Sequence, residues 1–390
     1  MSFAAMHELV DPHATHAATT LRRALHREPE LSNQEARTAR TITAFVANYP
    51  PDELIANLGG AGVAAIYRGA APGPTVLFRC ELDALPIVEI NDFAHRSIHE
   101  HVSHKCGHDG HMAMVAGLAP ILHRRRPARG RVVLLFQPAE ETGEGAAAVL
   151  RDARFSAIAP DYAFAIHNMP GYPLRQVIVR EGAFSMASIG MATVLEGRTS
   201  HASEPEKGLS PAGAVTTLLR ELPNLPEAAG AQRFTLVTLT HATLGDRSFG
   251  IAPGRAEVLA TLRAEDDADL DRLRTCATDL VTRAARENGV ESHIQWSDHF
   301  AATVNDVDAV RQVANAAASL GLDVHTMPTP IRWSEDFGLF TRTTRGALLG
   351  LGAGVDRPAL HSPDYDFPDE LIPTGLALFS RIIEQLLGST

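Results

Sequence analysis

The sequence predicts an α/β protein in two pieces: a main domain on a mixed central sheet, and a ferredoxin-like α+β domain inserted into it. Three observations carry that reading. Short apolar runs bounded by Gly and Pro alternate with helical patterns up to about Gly182, and helix and strand return from about Asp306 to the end. Between them the order is strand-helix-strand-strand-helix-strand, that of a ferredoxin-like sandwich. The 390 residues suffice for two domains, or for one large core carrying an insertion. The expected division is 1–183 and 299–390 for the main domain and 184–298 for the insert.

Composition narrows the class of partner. With 45% hydrophobic and 21% charged residues, the chain has the make-up of an ordinary globular protein. A formal charge of −11 argues against nucleic acid or an anionic membrane as the main partner. The three cysteines are odd in number and widely spaced, so no disulfide framework is expected and a reducing, cytoplasmic compartment is. Met1 to Leu21 carries Glu8, Asp11 and several His and Thr before any apolar run, unlike a secretory signal or a transit peptide. No apolar stretch approaches transmembrane length.

Taken in order, a helical pattern runs from about Asp11 to Arg27 and stops at Glu28-Pro29. A second follows Ser32, which with Glu35 has the S-x-x-E spacing of a capping box. Ala64–Tyr67 and Thr75–Cys80 are strand-like, and the second leads into Glu81-Leu82-Asp83. A carboxylate pair at the C-terminal end of a buried strand sits where open α/β sheets keep their chemistry; two solvated loop acids are the equal alternative. Residues 91 to 111 hold six of the 18 histidines, most of them readable as a polar surface loop. Cys106 and His108 differ: a thiolate and an imidazole two residues apart, across a Gly-interrupted turn, have compact metal-ligand spacing.

Gly110 to Leu122 reads as a helix with Met112, Val115, Ala116, Ala119 and Leu122 on one face, closed by Arg124–Arg126 against its dipole. Arg131–Phe136 is the clearest buried strand and delivers Glu140-Glu141. Adjacent carboxylates there suit a division of labour, one ligating a metal and the other taking a proton from water; acids set against a helix dipole are the blander reading. Asp161–Ile166 is a strand ending in His167-Asn168-Met169-Pro170. In the insert, Met186–Glu196, Phe234–Thr240, Glu257–Arg263 and Val290–Trp296 are strands, with helices over Leu209–Leu222 and Asp267–Glu287. The main pattern resumes with a helix near Asp306–Leu320, the run Ala347–Leu351, a turn to His361-Ser362-Pro363, and a last helix from about Ile372 to Leu387.

Four segments that follow apolar runs thus supply Cys106, His108, Glu141, His167 and His361. Five donors of mixed S, N and O chemistry exceed one tetrahedral ion and suit two divalent metals, about 3.5–4 Å apart in such sites. The thiolate favours Zn-like ions over Mg or Ca, with Mn, Co and Ni remaining open.

These pieces resemble the metal-dependent amidohydrolases that include aminoacylases, carboxypeptidase G, hippurate hydrolases and indole-acetyl-amino-acid hydrolases. The matching stretches are Arg22–Ser32, Phe78–Pro86, Cys106–His111, Phe136–Glu141, His167–Pro170, Ser200–Ser203, Ser334–Phe337 and His361–Pro363, in the family's order. CGHDGH followed by FQPAEE points to the hippurate and indole-acetyl-amino-acid branch. The resemblance implies two metals held by Cys106, His108, Glu141, His167 and His361, with Cys106 bridging. It further implies Glu140 as general base, Asp83 as the carboxylate that orients a ligand, and His201, reaching from the insert of a partner subunit, as the oxyanion's support. Asn168 and Arg263 are candidate substrate contacts, Arg263 being as readable as a solvent-facing strand end. The insert is expected to act as lid and dimerisation domain, giving a homodimer or higher oligomer. One departure stands out: Gly250 occupies a position where relatives often carry a substrate-holding Asn.

The implied activity is hydrolysis of the amide of an N-acyl amino acid or similar small conjugate. A carboxypeptidase- or dipeptidase-like activity on the same metals, and a non-catalytic binding protein keeping the fold, are the alternatives. No G-x-S-x-G elbow supports a serine hydrolase. Cys106 as a covalent nucleophile leaves Glu141, His167 and His361 without a role.

Overall fold

The computed structural model describes residues 10–389, so the reading of the first nine residues lies outside it. The chain separates into two compact units: residues up to Phe184 with Thr303–Pro330 and the segment from Glu335, and Ser185–Ala302 with Ile331–Ser334. Among the described residues no helix is long and apolar enough to cross a membrane.

The first unit is built on a mixed eight-stranded sheet. Its strands, in spatial order, are Glu53–Leu58, Gly62–Arg68, Arg129–Gln137, Ala71–Glu81, Tyr162–Pro170, Arg345–Gly354, Val177–Val179 and Val324–Thr326. The four in the middle, from Arg129–Gln137 to Arg345–Gly354, run parallel to one another. Each is buried over one unbroken stretch reaching toward its C-terminal end, hence their apolar runs. Helices Pro12–Arg27, His108–Ala116 and Ile372–Leu387 contribute to one apolar core against this sheet. The first has Pro at its start and Asp11 as its cap, whose carboxylate accepts from His13 N at 2.9 Å. Ala14, Ala18, Leu21 and Leu25 form its buried stripe.

Two expectations are corrected here. Ser32 and Glu35 do not form a capping box: at the start of the next helix, Ala36–Ala47, Glu35 makes no side-chain cap bond and Thr38 N donates to Glu30 Oε2 at 2.7 Å. Ser32 Oγ instead donates to Asp83 Oδ2 at 2.7 Å, and buried Glu35 accepts from Ala139 N at 2.7 Å. Tertiary partners took the groups that local spacing would have used. The helix expected from Gly110 to Leu122 starts earlier, at His108, and breaks at Gly117 into His108–Ala116 and Leu118–Arg124. Pro120 explains the break, since it cannot donate to the carbonyl of Ala116. The expected one-sided stripe is absent too, because every residue of His108–Ala116 is buried.

The second unit has a four-stranded antiparallel sheet in the order Thr235–Leu244, Arg255–Ala264, Ala187–Glu196, Glu291–Phe300. By chain order this is 2-3-1-4, the ferredoxin-like arrangement expected. Strand Arg255–Ala264 alternates strictly, burying Ala256, Val258, Ala260, Leu262 and Ala264. They share a core with Leu270, Leu273, Leu280 and Val281 of helix Asp267–Asn288, which Asp266 caps at one end and Gly289, at φ 67°, closes at the other. Ile331–Ser334 also belongs here, joined through a parallel bridge from Ser185 to Ile331. Nothing in the sequence pattern had marked that return.

Candidate metal centre

The parallel strands of the first unit carry the candidate donors at or beyond their C-terminal ends, the edge where such sheets bind ligands. Ala71–Glu81 runs into Asp83, Arg129–Gln137 into Glu140 and Glu141, and Arg345–Gly354 toward His361, while Tyr162–Pro170 carries His167 within its last residues. Helix His108–Ala116 brings His108 in at its first residue, with Gly107 before it at φ 92°. Ala139 and His361 adopt left-handed backbone, φ 49° and 65°, a strain of about 1–3 kcal/mol for a non-glycine residue. Both flank the site, where such strain fixes a direction the relaxed chain would not take.

All five expected donors come together. Candidate ligand atoms within 4.8 Å of one another form the groups Cys106–His108–His167, Cys106–Glu141–His361 and His108–Glu140–Glu141. Cys106 is common to the first two. Cys106 Sγ lies 3.5 Å from His167 Nε2, and His361 Nε2 lies 3.7 Å from Glu141 Oε1. His108 Nε2 is 3.8 Å from Glu140 Oε2 and 3.7 Å from Glu141 Oε1. His108 and His167 donate from Nδ1 to the carbonyls of Asp83 and Asn168, each at 2.9 Å, which turns both Nε2 atoms toward the cluster. Asp83 Oδ2 also accepts from Glu141 N at 2.9 Å.

The electrostatics favour cations. His108 Nε2 and Glu141 Oε1 are buried and have no hydrogen-bond partner, a costly state for groups that bind metals well. Burial, then the charges of Glu335, Glu141 and Asp336, push the Glu140 carboxyl well above the usual range. Burial lifts Glu141 to about 7. Burial and the acids Glu141, Glu140 and Glu81 push the Cys106 thiol up as well. Burial disfavours a charged His108, but its bond to Asp83 and the surrounding acids prevail and raise it to about 10. Carboxyls pushed toward their neutral form and a histidine pushed toward its charged form mark a pocket short of positive charge. The donor set therefore fits divalent metals.

Two expected substrate contacts are placed differently. Asn168 is fully buried, with Oδ1 2.5 Å from His111 Nε2 and Nδ2 donating to Tyr365 Oη at 2.6 Å, so it has nothing to offer a substrate. That corrects the expectation. Arg263 Nη1 donates to Arg332 O and Ser334 Oγ, each at 3.0 Å, within the second unit. His201 also lies in that unit, exposed, with Nδ1 2.7 Å from Ser203 Oγ. Its short strand pairs with Ile251–Ala252, which makes Gly250 its near neighbour.

The sequence reading missed a buried network beneath the cluster. Arg79 Nε donates to Gln137 Oε1 at 2.9 Å, and its other nitrogens meet Glu81, Glu335 (3.0 Å) and Asp336. Glu81 in turn accepts from His111 Nδ1 at 2.6 Å. The available signal was position: each of these residues stands close in sequence to a candidate donor or inside a quoted motif.

Thiol, imidazole and carboxyl groups gathered at the carboxyl edge of parallel strands make a candidate centre for divalent metals in an α/β protein. Residues 77–385 match peptidase family M20/M25/M40, and the chain belongs to that family. It is 27% identical over 365 residues to N-acetylcysteine deacetylase of Bacillus subtilis, covering 93% of this chain and 94% of that protein. It is 28% identical over 382 residues to IAA-amino acid hydrolase ILR1-like 2 of Arabidopsis thaliana, covering 94% and 84%. Among solved structures, the Bacillus subtilis YXEP protein, described as a dinuclear metal binding peptidase from the M20 family, superposes with a TM-score of 0.81 at 25% identity. That match covers 97% of this chain and 99% of the other.

Proposed function

We propose that this protein hydrolyses the amide bond of an N-acyl amino acid or a similar small N-acyl conjugate. The observation that carries the reading is Glu140: a buried carboxylate beside five groups able to hold cations, for which a pure binding site has no use. Cys106, His108, Glu141, His167 and His361 would hold two divalent metals, and Cys106 is common to two of the donor groups. Zn or Mn is the expected ion, with Co or Ni as substitutes, given one thiolate among N and O donors. Bound there, the metals would supply Lewis acidity to the amide carbonyl and acidify water.

The protein's own groups do the rest. Glu140 takes a proton from the attacking water and returns it to the departing amine, so that the amine leaves neutral. Asp83 holds His108 and the Glu141 backbone in place through the contacts described above. His201 supports the oxyanion, contributed by the partner of a homodimer in which the second unit serves as lid and dimerisation domain. The free cysteines Cys80, Cys106 and Cys276 accord with a cytoplasmic location. Both named relatives act, by their names, on amino acids acylated at nitrogen, and this supports the substrate class.

The test is amine release from a panel of N-acyl amino acids and dipeptides, with Zn or Mn supplied. Cleavage of N-acyl members, reduced about 10²- to 10⁴-fold in Glu140→Gln with metal still bound, is the expected result. Dipeptide cleavage alone would move the assignment to a dipeptidase. No turnover of either kind by metal-loaded wild type overturns it.

A further inference from the structure

Asn168 is closed to substrate, yet it touches His167 and the glycine that joins Cys106 to His108. It follows His167 in the chain, and its backbone carbonyl accepts from His167 Nδ1 at 2.9 Å, which aims the other ring nitrogen at Cys106 Sγ. Gly107, between Cys106 and His108, lies flat against its carboxamide: a Cβ there would overlap Oδ1, Cγ and Nδ2. With φ at 92°, Gly107 also has a backbone that few other residues adopt. Two partners then lock the carboxamide plane. His111, one helical turn after His108, sits 2.5 Å from Oδ1 and is itself tied to Glu81. Tyr365, four residues after His361, receives the bond from Nδ2 at 2.6 Å. Asn168, His111 and Tyr365 are all fully buried.

We propose that Asn168 is a positioning residue whose carboxamide sets where Cys106 and His108 stand relative to the adjoining His167, with His111 and Tyr365 holding its plane. This rests on the metal-site reading above. The geometry suits the task because a carboxamide is planar and has different chemistry at its two ends. His111 fixes one end from the ligand helix, Tyr365 fixes the other from the His361 loop, and the flat face between them supports Gly107. Three segments from distant parts of the chain are thereby referenced to a single plane.

The test uses metal-free full-length protein titrated with Co(II) alone. It reads stoichiometry, dissociation constant against a competing chelator, the visible ligand-field band, and the thermal midpoint before metal is added. Asn168→Ala is expected to bind Co(II) about 10- to 100-fold more weakly, the usual cost of losing an outer-shell partner, with a shifted band. Asn168→Asp, which keeps the planar shape, should recover part of that loss. Tyr365→Phe retains the ring, so its metal-free midpoint stays near wild type while affinity and band move in the same direction as in Asn168→Ala. Should Asn168→Ala fail to fold, Tyr365→Phe decides the matter. Folded variants with wild-type affinity and an unchanged band overturn the inference while leaving the metal site intact. A wild type that takes up no Co(II) instead removes the metal-site reading, and this inference with it.

Discussion

The two units bury very different things. In the second, the core is aliphatic: Ile189, Leu195, Leu218, Val258, Leu262, Leu273 and Leu280, with Asp269 the one buried charged side chain among the described residues. The first buries Arg22, Arg79, Lys105, Glu81, Asp83, Asp109, Glu140, Glu335 and Asp336, together with five histidines. Taking charge out of water costs several kcal/mol per ion unless partners are aligned to meet it. The second unit avoids that cost. The first bears it and meets much of it with ion pairs centred on Arg22, Arg79 and Lys105. An apolar core tolerates small errors of fit, whereas a buried ionic core fails when one member is lost, and the contrast can be tested directly.

The largest effect is expected at Arg79. Its guanidinium faces Glu81, Glu335 and Asp336, so Arg79→Met leaves Glu335 and Asp336 without a counter-charge and Glu81 with His111 alone. A loss of about 3–5 kcal/mol is expected in urea unfolding of the metal-free protein, as for other broken buried ion pairs. Metal should restore part of it, because cations replace some of the missing positive charge. In the second unit, Leu262→Ala removes an apolar side chain of the same sheet-facing kind. The expected cost is about 2–5 kcal/mol, depending on how far the cavity collapses. Metal affinity should be unchanged. If Leu262→Ala weakened metal binding as Arg79→Met does, the division of labour between the two cores would be wrong.

The same difference decides what the sequence could disclose. The second unit was legible because its information is periodic: alternation in Arg255–Ala264 and a capped 22-residue helix with a clear apolar stripe. The donors of the first unit were legible as residue types at strand ends. Their connections were not, since Arg79 meets Asp336 across 257 positions and no local rule relates the two. Strand Glu53–Leu58 escaped notice because it is short and buries only Leu58, so no apolar pattern marks it. Asn168 was misread for a related reason. A polar residue beside a candidate ligand looks available to substrate until the partners on its other side are known.

A smaller, pH-dependent effect should appear at Glu89. Burial pushes its carboxyl up, but the bonds from His26, Lys105 and the Ser97 backbone outweigh that and hold it at about 2. Unfolded, the group titrates at about 4.3. A depressed folded value means that the stabilisation is fully present above the unfolded value and is lost as pH falls through about 2. Wild type should therefore lose stability between roughly pH 4 and 2 more steeply than Glu89→Gln, read as the slope of thermal midpoint against pH. Parallel slopes would show that the bonds to Glu89 do not favour its charged form.

The smallest effect is the most diagnostic of how the two kinds of information compete. Ser32→Ala should cost about 0.5–1.5 kcal/mol, the worth of one hydrogen bond, and a capping box would predict a similar number. The magnitude alone cannot separate them, but its dependence on partners can. In this structure Ser32 donates to Asp83, which also holds His108 and Glu141, while Glu35 serves Ala139 just ahead of Glu140. A double-mutant cycle of Ser32→Ala with Asp83→Asn should therefore be non-additive, and one with Glu35→Gln additive. A capping box requires the reverse. Non-additivity with Asp83 would mean that residues spaced for a helix cap have been drawn into support of the candidate metal centre, leaving Glu30 to meet the helix Ala36–Ala47 at Thr38 N.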